Sequence, residues 1–180
     1  MKSILMSIQP KWVEKIINGE KTIEVRKTAP KEVPFKVYVY CTGVKNLNLT
    51  EYIKIFRATG GAIDYWHGKV VAEFVCDKVD TIPVDSEAFA AISKPACLTM
   101  DELLEYCSGK DMYGLHISDL KVYDEPKELS DFRKPDTSCG FYNPDLERCD
   151  SGYNCERCVY NELTITRPPQ SWQYVEEIEE

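Results

Sequence analysis

The chain has 180 residues, 43% hydrophobic and 29% charged, with 22 Lys+Arg against 30 Asp+Glu and a formal net charge of −8. This is an ordinary globular composition, which excludes intrinsic disorder, collagen and coiled-coil arrays, and no run approaches the roughly 20 apolar residues of a membrane span. Length predicts one domain over 1–180 with a sizeable core.

The charge is uneven. Residues 1–60 hold 11 Lys+Arg against 5 Asp+Glu, and residues 61–180 hold 11 against 25. A basic third on an acidic body suits an anionic partner, although local composition alone also produces such a bias. The overall acidity opposes broad nonspecific nucleic-acid affinity, which depends on phosphate neutralisation.

The start, MKSILMSIQPKW, lacks a signal-peptide pattern: the apolar stretch is about five residues and runs into Gln, Pro and Lys. A cytoplasmic chain with reduced thiols is expected. Its eight cysteines then point to metal or free thiol rather than a disulfide framework.

Residues 4–8 read as a short apolar strand. Pro10 fits the first position of a helix carrying Trp12, Val13, Ile16 and Ile17, and Gly19 ends it. Residues 21–26 alternate, with Ile23 and Val25 on one face and Thr22, Glu24 and Arg26 on the other, which predicts a half-buried strand. A second strand follows at 35–41, with Phe35, Val37, Val39 and Cys41 on its apolar side and Tyr38 and Tyr40 opposite.

A short helix over 49–58 carries Tyr52, Ile53 and Phe56, and Gly60-Gly61 closes it. Residues 68–79 form one strongly β segment, and a short helix covers 86–93. Thr99-Met-Asp-Glu102 is a capping box that starts another helix. Tyr113, Leu115 and Ile117 alternate again, and 120–123 continues that strand or begins its partner. Residues 124–161 are rich in Asp, Pro, Gly, Ser and Cys and cannot build an apolar core. Residues 161–167 resume strand character. Strands mixed with a few helices, without regular βαβ alternation, predict an α+β fold with a curved sheet or small barrel.

Two constellations carry chemistry. In the first, Lys21 stands where the helix gives way to a strand. Glu24 and Arg26 point to the same face, roughly 7 Å apart. A Lys, a Glu and an Arg converging there fit either a solvated ion-pair face or a ligand cleft. A carboxylate beside two cations is held ionised and can accept a ligand N–H or a proton. In the second, Cys139, Cys149, Cys155 and Cys158 give C-x9-C-x5-C-x2-C. A C-x2-C pair is the usual half of a structural zinc site. One Zn2+ on four thiolates would supply the folding energy this stretch lacks; a flexible thiol-rich loop, or two disulfides formed on oxidation, are the alternatives. Cys41, Cys76, Cys97 and Cys107 read as core residues. His67 and His116 stand singly and read as structural. Trp66, at a loop-to-strand junction, is either a base-stacking platform or a lid on the core.

The stretch SIQPKWVEKIINGEKTIEVRK resembles the opening motif of the ASCH domain, a member of the PUA-like superfamily. Gly19, Lys21, Glu24 and Arg26 match its G-x-K-x-x-E-x-R pattern, and 67–77, 113–126 and 167–177 resemble later strand segments. The resemblance implies a PUA-like small β-barrel with flanking helices and a Cys-rich insertion at about 131–160. It implies a cleft beside that barrel, which turns the first constellation towards a ligand site, with Lys11, Lys21, Glu24, Arg26 and Trp66 as candidate ligand-binding residues. PUA-like domains commonly bind RNA or modified nucleobases, so a binding module for RNA or a modified nucleotide is the leading expectation. Some small ASCH proteins hydrolyse the acyl amide of N4-acetylcytidine with a Lys, a Thr and a downstream Glu. Here Lys21 is kept, Glu24 stands where that Thr would be, and Glu73 and Glu87 are candidates for the downstream carboxylate. Lys21 and Glu24 would be catalytic in that alternative. A protein-interaction adaptor presenting the Cys-rich segment is the third.

Overall fold

Ser3 to Ile8 are all buried, so β1 (Lys2–Ile8) lies in the middle of a sheet with both faces covered. The computed structural model describes residues 1–43, 49–135, 142–143, 148–149 and 163–178. After β1 come α1 (Pro10–Ile17), β2 (Ile23–Arg26), β3 (Phe35–Cys41), α2 (Leu49–Ala58) and α3 (Ile63–Trp66). Next are β4 (Val70–Cys76), β5 (Val79–Ile82), α4 (Ser86–Ala96), α5 (Met100–Cys107), β6 (Met112–His116) and β7 (Ser118–Lys127). A small pair, β8 (Tyr142–Asn143) and β9 (Arg148–Cys149), and then β10 (Trp172–Val175), follow.

The expected α+β class stands. Five strands form one sheet in the order β10-β1-β3-β4-β7, parallel only between β1 and β3, and three form an antiparallel sheet, β2-β6-β5. Among the described residues no ladder joins these two sheets into a closed ring. Alternation sorts the core. Ile4, Met6 and Ile8 of β1 pack with Val37, Val39, Phe74 and Leu115 between the sheets, while Leu5 packs on the outer face with Tyr38, Tyr40, Tyr123 and Phe132. Ile23 and Val25 of β2 meet Phe89, Ile92 and Leu103 of α4 and α5.

Several expectations are corrected. The single strand over 68–79 is two: Val70–Cys76 pairs with β3, and Val79–Ile82 pairs with β6 in the other sheet. Likewise β6 and β7 belong to different sheets. Pattern alone reads 68–79 as continuous because both arms are rich in β-branched residues. β2 is buried on both faces rather than one, since α4 and α5 cover one side and the five-stranded sheet lies towards the other. On α2 it is Ile55 that is buried, whereas Ile53 and Phe56 are exposed. The helix at 86 runs to Ala96, through Pro95. Residues 161–167 contribute only a bridge, Thr164 to Arg133. No helix among the described residues is long and apolar enough to cross a membrane.

Candidate functional site

The helix-to-strand junction is built by glycine. Gly19 adopts φ +72°, and the N–H groups of Glu20 and Lys21 return to the carbonyl of Lys15. Its freedom to adopt a left-handed conformation lets the chain reverse directly into β2. The turn sets Lys21 and Thr22 against the C-terminal end of α4. The Thr22 N–H donates to the Pro95 carbonyl at 2.9 Å, and Lys21 Nζ donates to the Ala96 carbonyl at 2.6 Å. A cation at a helix C-terminus also meets the negative end of its dipole.

β2 is an edge strand, and its polar face turns inward towards the first sheet. Lys21 is 2% exposed, Glu24 5% and Arg26 8%. Glu24 Oε2 lies 3.3 Å from Lys21 Nζ, and Oε1 lies 3.0 Å from Arg26 Nη2. The same Nη2 donates to the Ser7 carbonyl at the end of β1, at 2.7 Å, tying the edge of one sheet to the other. Arg26 Nε is buried and has no hydrogen-bond partner among the described residues.

This group opens onto a cleft of about 900 Å³. One wall is Ser7 to Trp12, from the end of β1 into α1. Another is Glu102, Glu105 and Tyr106 of α5, and Thr42, Gly43, Gln170 and Ser171 complete it. Lys11 Nζ stands 4.3 Å from the centroid of the Trp12 ring and 3.6 Å from Glu102 Oε1. The deeper Lys21 ammonium is 5.2 Å from the same ring. The Thr99 N–H, donating to Glu102 at 2.9 Å, holds that carboxyl below the usual carboxylate range, with Thr99 Oγ1 and Lys11 reinforcing it. Burial pushes the Tyr106 hydroxyl up, against the opposing pull of Arg26.

The structure therefore brings Lys11, Lys21, Glu24 and Arg26 into one cleft. Trp66 is elsewhere, half-buried at the end of α3 and packed against the main core. Tyr38 and Tyr40 are buried on the outer face of the large sheet. Glu73 accepts a hydrogen bond from Tyr123 and Glu87 sits exposed in the first turn of α4; neither lines the cleft. His116 Nε2 is 2.7 Å from Asp80 Oδ2, also outside it. Burial pushes the Cys41 thiol up to about 12 and that of Cys76 up to about 11, in keeping with core positions. Cys107 is buried too, but Cys97 is half-buried, at the left-handed residue ending α4.

Cys139, Cys155 and Cys158 lie outside the described residues, as does the side chain of Cys149. Among the described residues no group of three or more His, Cys, Asp or Glu is placed to hold a metal ion. Sequence reasoning missed Trp12, Glu102 and Tyr106. Trp12 reads as core because it lies on the apolar stripe of α1. Glu102 reads only as a capping residue, yet Glu102 and Tyr106 are four apart, on one helix face. That spacing was the available signal.

No protein-family model matches the sequence, and no curated protein matches it. Solved structures do. The crystal structure of ASCH from Zymomonas mobilis aligns with a TM-score of 0.54 and 16% identity, covering 98% of this chain and 89% of that one. Two single-substitution variants of the same Zymomonas mobilis protein align at 15% identity, with TM-scores of 0.54 and 0.53. They cover 92% and 89% of their own chains and 98% of this one. This chain has the ASCH-domain fold.

Proposed function

Taking that fold as the premise, we propose that the cleft binds RNA or a modified nucleotide, gripping one base by its hydrogen-bonding edge. The observation that carries this reading is the buried Arg26 Nε–H, without an acceptor among the described residues, beside Glu24. An unsatisfied buried donor costs about 1–3 kcal/mol, so an acceptor brought into the cleft at that point would be favoured. A base edge offers an acceptor next to an N–H donor. The acceptor satisfies Arg26 Nε and the N–H goes to Glu24. Lys21, Glu24 and Arg26 together leave one net positive charge to favour phosphate nearby. The cleft volume of about 900 Å³ is in the range of small-molecule sites.

A nucleoside panel including N4-acetylcytidine, read by thermal shift and by product release, tests the reading. A shift in the wild type that is lost in Lys21→Ala and in Arg26→Lys is the expected result. A shift that survives both substitutions overturns it. The second reading is an amidohydrolase acting on an acylated nucleoside. The observation favouring it is the Glu102 carboxylate in the same cleft as Lys21. Product release that vanishes in Lys21→Ala would establish that activity.

We also propose one structural Zn2+ on Cys139, Cys149, Cys155 and Cys158, a reading carried by their spacing alone. Elemental analysis of the purified chain should then find close to one zinc per chain, and none after all four are changed to serine. A metal-free wild type overturns it.

A further inference from the structure

We propose that Trp12 is the platform on which a planar heteroaromatic ring stacks, and that Lys11 is a displaceable cover occupying that place in the unliganded protein. This rests on the base-binding reading above. It reverses the role the sequence gave Lys11, from ligand contact to competitor.

Trp12 lines the cleft and packs against the main core, so its ring is anchored. Lys11 Nζ lies 4.3 Å from its centroid, within the range of a cation–π contact. The same ammonium pairs with Glu102 across the cleft, from α1 to the first turn of α5, at 3.6 Å. Both ends of that pair are well exposed, at 41% and 39%. An exposed pair of this kind is weak, and an exposed cation on the half-buried ring adds little more. The cover is therefore held loosely. The Lys21 ammonium, 5.2 Å from the same ring, is by contrast fixed by Ala96 and Glu24. A base laid on Trp12 in place of Lys11 thus lies beside the group that reads its edge. Stacking and edge recognition act on one ring. A sugar or an aliphatic anion would gain only half of that arrangement.

The test is a titration of the purified chain with cytidine, uridine, adenosine, guanosine and N4-acetylcytidine. Indole emission and thermal shift are both followed, in wild type, Lys11→Ala, Trp12→Leu and Arg26→Lys. Lys11→Ala should bind the preferred nucleoside tighter, by about two- to tenfold, because nothing has to be displaced. Trp12→Leu keeps apolar bulk against the core and should bind about tenfold weaker or worse. The nucleoside-dependent quenching should disappear with it, although Trp66 and Trp172 still emit. A denaturant midpoint for Trp12→Leu separates lost stacking from lost folding. Weaker binding in Lys11→Ala overturns the cover, and unchanged affinity in a folded Trp12→Leu overturns the platform. If Arg26→Lys loses binding while the Lys11 and Trp12 variants match wild type, the base-binding reading stands and this inference falls. If no nucleoside binds even to Lys11→Ala, where the cover is gone, both fall.

Discussion

Two charged clusters in this protein each pair a lysine with glutamate and differ in what surrounds them. Lys21, Glu24 and Arg26 lie between the sheets, with side chains 2%, 7% and 9% exposed. Lys36, Glu73 and Glu177 lie on the outer face of the large sheet, 18%, 16% and 38% exposed. In the outer cluster Lys36 Nζ is 2.8 Å from Glu177 and 3.8 Å from Glu73, Tyr123 donates to Glu73, and the Met1 ammonium lies 3.4 Å from Glu177. That arrangement ties the residues after β10 onto the sheet and leaves its charges partly hydrated. The inner cluster has taken three charges out of water, and its Arg26 Nε has no hydrogen-bond partner among the described residues. Burying charges is costly, and well-packed apolar residues are often at least as stable in their place. That cost, beside an open hydrogen-bonding position, is what the proposed ligand site would use.

The sharpest way to break this contrast is Glu24→Ala. It leaves two buried cations without their shared carboxylate, and a loss of about 3–5 kcal/mol is expected in a denaturant titration. A loss below about 1 kcal/mol would mean that the inner cluster is solvated like the outer one. Arg26→Lys keeps the charge but removes Nε and the planar fork. Nucleoside affinity should fall by about tenfold or more, since a hydrogen bond involving a charged group contributes roughly 1.5–3 kcal/mol.

A smaller effect is expected at the cleft mouth. Glu102→Gln removes the ionised half of the capping box of α5, and about 1 kcal/mol or less should be lost at neutral pH. The Glu102 carboxyl is lowered in the folded chain. Its contribution is therefore present above the ordinary carboxylate pKa and lost as pH falls through the folded value. Wild type and variant should converge in acid, which thermal melts across pH will show. The smallest effect belongs to the outer cluster. Lys36→Ala should cost under about 1 kcal/mol, less in high salt. The Lys36 ammonium, hydrogen-bonded by Glu177, is raised, and the Glu177 carboxyl is lowered by the same bond. That contribution is thus present between the two ordinary values, 4.5 and 10.5, and fades beyond either side. A salt-independent cost of several kcal/mol would place the outer cluster with the inner one.

Local pattern determined much of this protein. Apolar periodicity and helix-end chemistry were enough for β1, α1, the Gly19 turn, the Thr99 capping box, and the convergence of Lys21, Glu24 and Arg26 on one strand face. Each depends on residues close in sequence. What the tertiary structure decided was which side of each segment met another. It broke 68–79 into strands of two sheets, because both arms have strand-forming residues and the corner between them depends on which sheet each one pairs with. It turned the polar face of β2 inward, because α4 and α5 cover one side and the carbonyl of Ser7 waits on the other. It kept Trp66 on the core, away from the cleft, and put Trp12 and Tyr106 into it. Their neighbours there come from β1, α1 and α5, and the side a residue presents to elements distant in sequence is set by packing rather than by its own period.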